Sequence, residues 1–485
     1  MTTYDLIIRN GTVIDGSGGP RVESDVAVDG DRIAAIGDLS DAQGRDEINA
    51  AGMIIAPGFI DVHTHDDHAL LSKPDMAYKA SQGVSTVVVG NCGISLAPLT
   101  FDGDRPPPPL DLLGDGYRFP KMADFFDALE ETPSALNAAA LCGHSTLRVG
   151  AMEDLDRPAT DVEINAMREA LSEALDAGAI GMSTGLYYDP AKEAPTKEVI
   201  RLAELLGPAK GLYTTHLRNE GANLQEAMEE AFEIGRAAGV KVVLSHHKSS
   251  GRPNFGKTVE SLALIEKTRK EQPVTLDVYP YDASSTVLQY ERVLVSKRTI
   301  VTWSEAKPEV AGRDLSDIAQ EMGCSEEEAA TALQPAGAIY FMMDEDDVQR
   351  VLKYPHAMVA SDGLPHDVFP HPRLWGTFPR VLGHYSRDLG LMPLEEAVHR
   401  MSGLPASEFG LTGRGVLASG AHADIVIFDA ATVADRADFE HPTEAAAGIS
   451  IVMVNGQTVW RDGAATGARP GHALKRQDLQ AEAAS

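Results

Sequence analysis

The residues of this chain best suited to chemistry are two histidines, His63 and His65, which follow an apolar run from Met53 to Ile60. Side chains of a β-strand alternate between its two faces, so a strand here would point both imidazoles in the same direction. Two neighbouring imidazoles at a strand end can hold a divalent metal ion. The alternative is a histidine pair that is simply hydrogen-bonded inside the fold, and ligands on other strands decide between the two.

Residues of metal-ligand type also end the apolar strands that follow along the chain. They are Cys92, His144, His216, His246 and Asp362. So many potential ligands at equivalent positions predict a catalytic metal centre. A thiolate combined with imidazoles favours zinc over magnesium or calcium. Cys142 precedes its strand end and Cys324 lies in a charged region, so we expect both to be ordinary structural residues.

Apolar strands alternate with helical stretches through the middle of the chain. The expected strands span 59–65, 86–92, 137–144, 180–184, 212–216, 242–246, 274–279 and 357–362. Amphipathic spacing predicts helices at 160–177 and 223–238. This pattern is typical of a (β/α)8 barrel, whose active sites form at the C-terminal ends of the strands. The gap before the last strand is too long for one crossover and predicts an insertion at about 284–343.

The two ends of the chain instead have short strands and tight turns. Asn10-Gly11 and Asn455-Gly456 are dipeptides typical of hairpins. We therefore predict an α/β fold, a (β/α)8 TIM-like barrel with a small β-sandwich domain built from both chain termini. The expected boundaries are 1–56 and 416–485 for the β-domain and 57–415 for the barrel. The polar tail from about Thr466 is expected to be a loosely attached arm.

Composition limits the partners of this chain. Its 485 residues carry a formal net charge of −30, which repels phosphates and argues against nucleic acid and membrane surfaces. An acidic surface does not exclude a small anionic substrate, and the oligomeric state stays open. Three widely spaced cysteines favour a reducing compartment over a disulfide framework. Neither a signal peptide nor an apolar membrane span is recognisable, so the expected localisation is cytoplasmic.

Several short motifs extend the strand-end residues into a family pattern. They are Val89-Gly90-Asn91-Cys92-Gly93-Ile94-Ser95, Gly143-His144-Ser145-Thr146, Ser245-His246-His247-Lys248, Ser361-Asp362-Gly363-Leu364-Pro365-His366 and Pro372-Arg373-Leu374-Trp375-Gly376-Thr377-Phe378. With these motifs the chain resembles, over nearly its whole length, the N-acyl-D-amino-acid deacylases (D-aminoacylases) of the amidohydrolase superfamily. The resemblance implies zinc-dependent hydrolysis of an N-acyl-D-amino acid to a D-amino acid and a carboxylate.

The resemblance also implies one tight zinc site and a second, weaker one. The implied ligands are Cys92, His216 and His246 for the tight site, and His63, His65 and Asp362 for the weaker site. Many members of the superfamily bridge two metals with a carboxylated lysine at the fourth strand. This chain has Ser183-Thr184-Gly185 there, and Cys92 resembles the family's substitute for that lysine.

Further roles follow from the same resemblance. Metal-activated water would attack the amide carbonyl, with Asp362 as general base and then as acid toward the leaving nitrogen. The implied substrate-binding residues are Lys248, Arg373, Tyr279 and Ser285 for the carboxylate, and Tyr187, Leu294, Tyr340 and Met343 for the side chain. Preference for the D-enantiomer rests on the resemblance alone.

Two other hypotheses stay open at this point. A cyclic amide hydrolase, such as a hydantoinase or dihydroorotase, shares the barrel and the His-x-His pair but predicts a bridging lysine at the fourth strand. A non-catalytic scaffold would have lost ligand residues, whereas this chain retains the full implied set. Metal analysis and a substrate panel discriminate among the three hypotheses.

Overall fold

The computed structural model describes residues 2–99, 101, 106–113 and 119–484. Its strands are β1 (Thr3–Val13), β2 (Val22–Asp29), β3 (Arg32–Gly37), β4 (Gln43–Asn49), β5 (Ile54–Pro57), β6 (Phe59–Asp61), β7 (Val84–Val89), β8 (Asn137–Gly143), β9 (Gly181–Gly185), β10 (Leu212–His216), β11 (Val242–Leu244), β12 (Val274–Val278), β13 (Ala283–Val287), β14 (Thr299–Ser304), β15 (Ala336–Phe341), β16 (Ala357–Val359), β17 (Ile425–Phe428), β18 (Ile449–Val454), β19 (Gln457–Arg461) and β20 (Ala464–Ala465).

The helices of the same residues follow in chain order. They are α1 (Ala69–Ser72), α2 (Ala77–Ala80), α3 (Met122–Glu131), α4 (His144–Ala151), α5 (Asp161–Ala177), α6 (Asp189–Lys192), α7 (Thr196–Ala203), α8 (Leu206–Ala209), α9 (Leu224–Ala238), α10 (Thr258–Thr268), α11 (Tyr290–Val295), α12 (Leu315–Met322), α13 (Glu326–Ala332), α14 (Glu345–Lys353), α15 (Arg373–Arg380), α16 (Leu394–Met401), α17 (Gly403–Phe409) and α18 (Arg476–Ala484). A π-helical segment, Val381–Asp388, continues α15.

The centre of the molecule is a parallel sheet in the order β6-β7-β8-β9-β10-β11-β12-β16. Its strands are buried on both faces, as is typical of parallel strands covered by helices, and β7, Val-Ser-Thr-Val-Val-Val, is rich in β-branched residues. The first and last strands meet where the Asp362 N–H donates to the His63 carbonyl at 2.9 Å. Thr64 and Gly363 form a parallel bridge beside that hydrogen bond. The predicted (β/α)8 barrel is confirmed.

The seam between β6 and β16 also contains a buried ionic cluster. The Nζ of Lys79, on α2, lies 2.6 Å from Asp61 Oδ2 and 3.4 Å from Asp66 Oδ2. The same ammonium donates to Ser361 Oγ at 2.6 Å, and the Ser361 N–H donates to Asp61 Oδ1 at 2.9 Å. These side chains are fully buried, so the cluster fixes the first strand against the eighth one residue before Asp362.

Strands from the two ends of the chain form one nine-stranded sheet, in agreement with the expected β-structure. The hairpin expected at Asn10-Gly11 is wrong, because both residues lie inside β1 at a register shift against β2. Its order is β20-β19-β18-β17-β5-β1-β2-β3, and β1 also pairs with β4. Ile55 of β5 lies opposite Ile427 of β17 in an antiparallel ladder. Ile55, Ile427 and their apolar neighbours form a core of their own. The exact domain boundaries stay predictions.

The segment between β12 and β16 contains a small antiparallel sheet in the order β13-β15-β14. Ser285 of β13 lies opposite Ile339 of β15. Helices α11, α12 and α13 occur in the same segment, and α13 begins at a capping box formed by Ser325 and Glu328. This segment supplies one wall of the cavity described below.

Local sequence explains how the long helix α5 begins and ends. The Thr160 Oγ accepts from the Glu163 N–H, and the Glu163 carboxylate accepts from the Thr160 N–H at 2.7 Å. This capping box satisfies N–H groups that have no partner inside the helix. The helix ends at Gly178, whose φ of +126° glycine adopts readily. Both predicted helices, 160–177 and 223–238, correspond to α5 and α9.

The expected loose arm at the C-terminus does not hold for α18. Arg476 donates to the carbonyls of Ala209 and Leu175, each at 2.7 Å. Leu479 is only 5% exposed, because it packs in an apolar cluster with barrel residues. The tail contains few large apolar residues, so its sequence did not predict that contact. None of the helices in the described residues is long and apolar enough to cross a membrane.

Candidate metal centre

The ends of the barrel strands bring the expected ligands together around Cys92. Its Sγ lies 3.2 Å from His63 Nε2, 3.4 Å from His246 Nε2 and 3.8 Å from His216 Nδ1. Cys92, His216 and His246 form one group whose ligand atoms are all within 4.8 Å of one another, and His63, His65 and Cys92 form a second. All of these side chains are buried, so the cluster lies inside the mouth of the barrel.

Asp362 completes the cluster from the eighth strand. Its Oδ1 lies 3.3 Å from His65 Nε2 and 3.6 Å from His63 Nε2. Its Oδ2 is 2.8 Å from the Nη1 of Arg373, which is fully buried. His63, His246 and Asp362 form a third group with metal-ligand spacing. One carboxylate oxygen thus faces the histidines while the other is held by an arginine.

Three of these residues have backbone torsions that are unusual for side-chain-bearing residues. The φ angles of Cys92, His246 and Asp362 are +53°, +36° and +51°. Such left-handed conformations cost free energy and persist where the surrounding structure fixes them, often at functional sites. Gly90 precedes Cys92 with a φ of +78°, and a Cβ there would lie 2.2 Å from the Leu141 carbonyl. The sharp turn that presents Cys92 therefore requires glycine at position 90.

The charges of the cluster suit a cation. Burial raises the pKa of Cys92, but the neighbouring His63 and His246 outweigh it and hold that pKa well below its ordinary value. Burial likewise raises the pKa of Asp362, whereas Arg373 and His246 hold it well below its ordinary range. The pKa of His65 rises to about 9 because Asp362 and Cys92 outweigh its burial. These shifts favour the thiolate form of Cys92 and the carboxylate form of Asp362 beside the histidines.

The donor set fits a metal ion that prefers sulfur and nitrogen ligands. Tetrahedral sites of this kind use a cysteine thiolate and imidazole nitrogens in a closed, buried cluster. Here a buried thiol that readily ionises has three imidazole nitrogens around it, and two more candidate donors, His65 and Asp362, stand beside them. Binding a cation would displace the protons that the histidines otherwise share with the anions.

Two carboxylates that sequence reasoning missed contact the candidate ligand histidines from outside. Asp277, in β12, lies 3.3 Å from His63 Nδ1 and accepts a hydrogen bond from the backbone N–H of His246 at 2.8 Å. Glu220, four residues beyond His216, lies 3.0 Å from His246 Nδ1 and 2.7 Å from Lys248 Nζ. A lone aspartate inside the apolar run 274–278 was a usable signal for Asp277. Glu220 lies in the loop after β10, where the sequence contains no comparable signal.

Not every strand-end residue joins the cluster. The Nε2 of His144 lies 3.0 Å from the Glu198 carboxylate, in a separate buried network with Arg148. Cys142 is buried, and burial alone raises the pKa of its thiol. Cys324 is half-buried in the insertion and packs against the apolar core. Among the described residues, none of these three belongs to a group with metal-ligand spacing.

A cavity above the cluster is lined by Lys248, Tyr279 and Ser285 together with His65, His216, His246 and Asp362. These are three of the four residues expected to bind a substrate carboxylate. Arg373 lies behind this wall: its guanidinium stacks on the Tyr279 ring at 4.7 Å and donates to the Ser285 carbonyl at 3.1 Å. Lys248 also lies 5.4 Å from the Tyr279 ring.

The residues expected to form the side-chain pocket are placed differently from one another. Tyr187 and Tyr340 flank Arg292, whose Cζ lies 4.4 Å and 5.9 Å from the two ring centroids. Arg292 lines the cavity and was missed by sequence reasoning. Met343 is buried in the wall of a smaller neighbouring cavity. Leu294 lies apart, with 60% of its surface exposed.

Known proteins with the same fold are similar in sequence as well. A model of the "Amidohydrolase family" matches residues 46–460. A D-aminoacylase from Alcaligenes xylosoxydans xylosoxydans is 57% identical over 475 residues, which are 98% of each chain. A solved D-aminoacylase structure is 55% identical with a TM-score of 0.95, covers 97% of this chain and 100% of its own, and is described as having a binuclear metal center. A solved N-acyl-D-glutamate deacylase from Bordetella bronchiseptica, complexed with zinc and a phosphonate inhibitor, is 47% identical with a TM-score of 0.95 and covers 98% of this chain and 100% of its own.

Fold, site and similarity together define a metal-dependent amidohydrolase. Within that class, the chain belongs to the D-aminoacylase family of N-acyl-D-amino-acid deacylases. The family expected from the sequence motifs is thereby confirmed, and the scaffold hypothesis is set aside.

Proposed function

We propose that this chain hydrolyses N-acyl-D-amino acids to a D-amino acid and a carboxylate, using zinc. The observation that carries the proposal is the buried group of Cys92, His216 and His246 beside Asp362, in a chain 57% identical to a D-aminoacylase. The absence of a lysine at the fourth barrel strand weighs against a cyclic amide hydrolase. At that position Ser183 donates to the Gly90 carbonyl at 2.5 Å and so supports the turn before Cys92.

Zinc would be held tightly by Cys92, His216 and His246, and a second, weaker position would use His63, His65 and Asp362. A zinc ion supplies Lewis acidity, which polarises an amide carbonyl and brings the pKa of water to about 7. The binuclear centre described for the solved D-aminoacylase supports a pair of positions. The zinc in the solved D-glutamate deacylase supports the choice of metal.

Asp362 is the proton-transfer group. Its Oδ1 faces the histidines and the cavity, while Arg373 holds Oδ2 at 2.8 Å and keeps the carboxylate ionised. An ionised carboxylate in this position can accept a proton from the attacking water and return it to the leaving nitrogen. Arg373 is fully buried and thus acts by orienting the Asp362 carboxylate.

The substrate carboxylate would bind on the wall formed by Lys248, Tyr279 and Ser285, which all line the cavity. Arg373 stiffens this wall through its contacts with Tyr279 and the Ser285 carbonyl. The substrate side chain would lie toward Tyr187 and Tyr340, with Met343 behind. Arg292 between the two tyrosine rings adds a positive charge to the same region.

The test is a panel of N-acetyl-D-amino acids, N-acetyl-L-amino acids and a hydantoin. We expect turnover of the D series, its loss after chelation and its return with added zinc. Asp362→Asn should retain the tightly bound zinc but lose at least about 10²-fold in kcat, because the proton-transfer group is gone. Turnover of the hydantoin alone would favour the cyclic amide hydrolase, and equal turnover of both enantiomers would refute the stereochemical part of the proposal.

A further inference from the structure

Glu220 is a buried carboxylate in the catalytic cavity to which the reaction outlined above assigns no role. It lies in the loop after β10 and is only 8% exposed. Its Oε1 contacts two groups with proposed functions: Lys248 Nζ at 2.7 Å and His246 Nδ1 at 3.0 Å. Lys248 Nζ is itself 2.7 Å from the same His246 nitrogen. The Glu220 carboxylate and the Lys248 ammonium therefore both lie within hydrogen-bond distance of His246 Nδ1 and of each other.

The competition decides which nitrogen of His246 can bind a metal. A neutral imidazole carries one N–H, so ligation through Nε2 requires the hydrogen to be on Nδ1. Nε2 is the nitrogen that faces Cys92 Sγ, at 3.4 Å. The Nδ1–H must then donate to an acceptor. Lys248 has donors alone and would instead favour the opposite tautomer, in which Nε2 carries the hydrogen and has no free lone pair.

Glu220 resolves this conflict because a carboxylate oxygen can accept from both neighbours. We propose that Glu220 is a positioning residue that selects the metal-binding tautomer of His246 by accepting both its Nδ1–H and the Lys248 ammonium. The inference rests on the proposed function in using His246 as a zinc ligand. It adds a reason why a substrate-binding lysine can stand next to that ligand without displacing the metal.

The test measures zinc affinity, which is independent of turnover. Purified full-length protein is stripped of zinc and titrated in competition with a chromophoric chelator. We expect Glu220→Ala to weaken zinc binding by about 10–100-fold, as for other outer partners of ligand histidines. Glu220→Leu, which also lacks an acceptor, is the second variant if the alanine variant does not fold by circular dichroism, and it should weaken zinc binding to the same extent. Glu230→Gln is the control, since Glu230 pairs with Arg218 outside the cluster.

The decisive variant is the double substitution Glu220→Ala/Lys248→Met. Removing the competing donor should restore zinc affinity to within about threefold of the unaltered protein, while Lys248→Met alone should change it by less than about twofold. A simple charge effect predicts instead that Lys248→Met strengthens zinc binding equally in both backgrounds. The proposal would be overturned if Lys248→Met strengthens zinc binding equally in both backgrounds. It would also be overturned if the double variant does not recover zinc affinity, or if Glu220→Ala loses none.

A parallel titration separates this result from the proposed function. His246→Ala should lose tight zinc binding whatever Glu220 does. If His246→Ala binds zinc normally, the ligand assignment itself fails. If His246→Ala loses zinc while Glu220→Ala does not, the ligand assignment stands and the role of Glu220 is refuted.

Discussion

Lys79→Met should destabilise the protein strongly, although Lys79 lies outside the catalytic cavity. Its ammonium is fully buried between Asp61, Asp66 and the Ser361 hydroxyl at the barrel seam. Burial lowers the pKa of Lys79, but the two aspartates outweigh it and raise that pKa above its ordinary value. The substitution keeps the length of the side chain and removes the charge, leaving two buried carboxylates without their cation.

The distances set the size of the effect. At an effective dielectric constant of about 20, the ammonium gains roughly 6 kcal/mol from Asp61 and roughly 5 kcal/mol from Asp66 before desolvation is subtracted. Desolvating the charges offsets much of this attraction, and breaking one side of a buried pair typically costs about 3–5 kcal/mol. We therefore expect the free energy of unfolding to fall by about 3–5 kcal/mol.

Urea unfolding followed by circular dichroism measures this change. Zinc is held at one concentration in every sample, because a ligand that binds only the folded chain adds its own stabilisation. Lys121→Met is the matched control: the Lys121–Glu173 pair has a similar distance, 2.9 Å, but its side chains are 59% and 50% exposed. We expect that control to leave the urea midpoint unchanged, since exposed pairs contribute little.

A second variant tests the cause of the loss. Lys79→Met/Asp61→Asn should be more stable than the sum of the two single effects predicts, by at least about 1 kcal/mol, because the uncompensated charge is removed. A loss below about 1 kcal/mol in Lys79→Met, or strictly additive effects in the pair, would show that buried charge compensation does not hold the seam together.

Three further outcomes are expected. Cys92→Ala should lose the tightly bound zinc, measured as metal content per chain after gel filtration, and unchanged stoichiometry would remove Cys92 from the ligand set. Burial raises the pKa of Glu198, but its hydrogen bonds with His144 and Arg148 outweigh burial and lower that pKa from 4.5 to about 2. The ionised Glu198 carboxylate therefore contributes about 3 kcal/mol of stability above pH 4.5, and this contribution is lost as the pH falls toward 2. In urea titrations, the difference in free energy of unfolding between the unaltered protein and Glu198→Gln should become smaller from pH 6 to pH 3.5. A difference that stays constant over this range would contradict the role of Glu198. Thr160→Ala should destabilise the protein by about 1 kcal/mol through loss of the α5 cap, and an unchanged urea midpoint would mean that the Glu163 side of the capping box suffices.

The barrel could be predicted from the sequence for a geometric reason, which also explains why the candidate ligands lie close together, while their ligand roles stay predictions. Parallel strands of a closed sheet end at one face, so residues such as Cys92, His216 and Asp362, each read as ending a strand, had to converge there. The exact placement of ligand atoms was not needed for that inference. Periodicity and strand order were sufficient.

Other parts of the site depended on packing between distant segments. Glu220 reaches His246 from a loop, and Arg373 lies buried behind the cavity wall although arginine is usually exposed. Met343, at the end of the insertion, is buried, whereas Leu294 in the same segment is 60% exposed. No local pattern in the sequence encodes contacts between distant segments, so the arrangement of these side chains could not be predicted.

The shared sheet of the two chain ends also has a consequence for synthesis on the ribosome. Strand β5 is made early, but its partner β17 follows roughly 370 residues later. At about 5–20 residues per second, β5 waits on the order of 20–70 s for that partner. During this time the barrel strands can already pair, while an apolar strand edge stays uncovered and open to wrong partners. A segment made late, β17, thus covers the edge of a strand made early, β5.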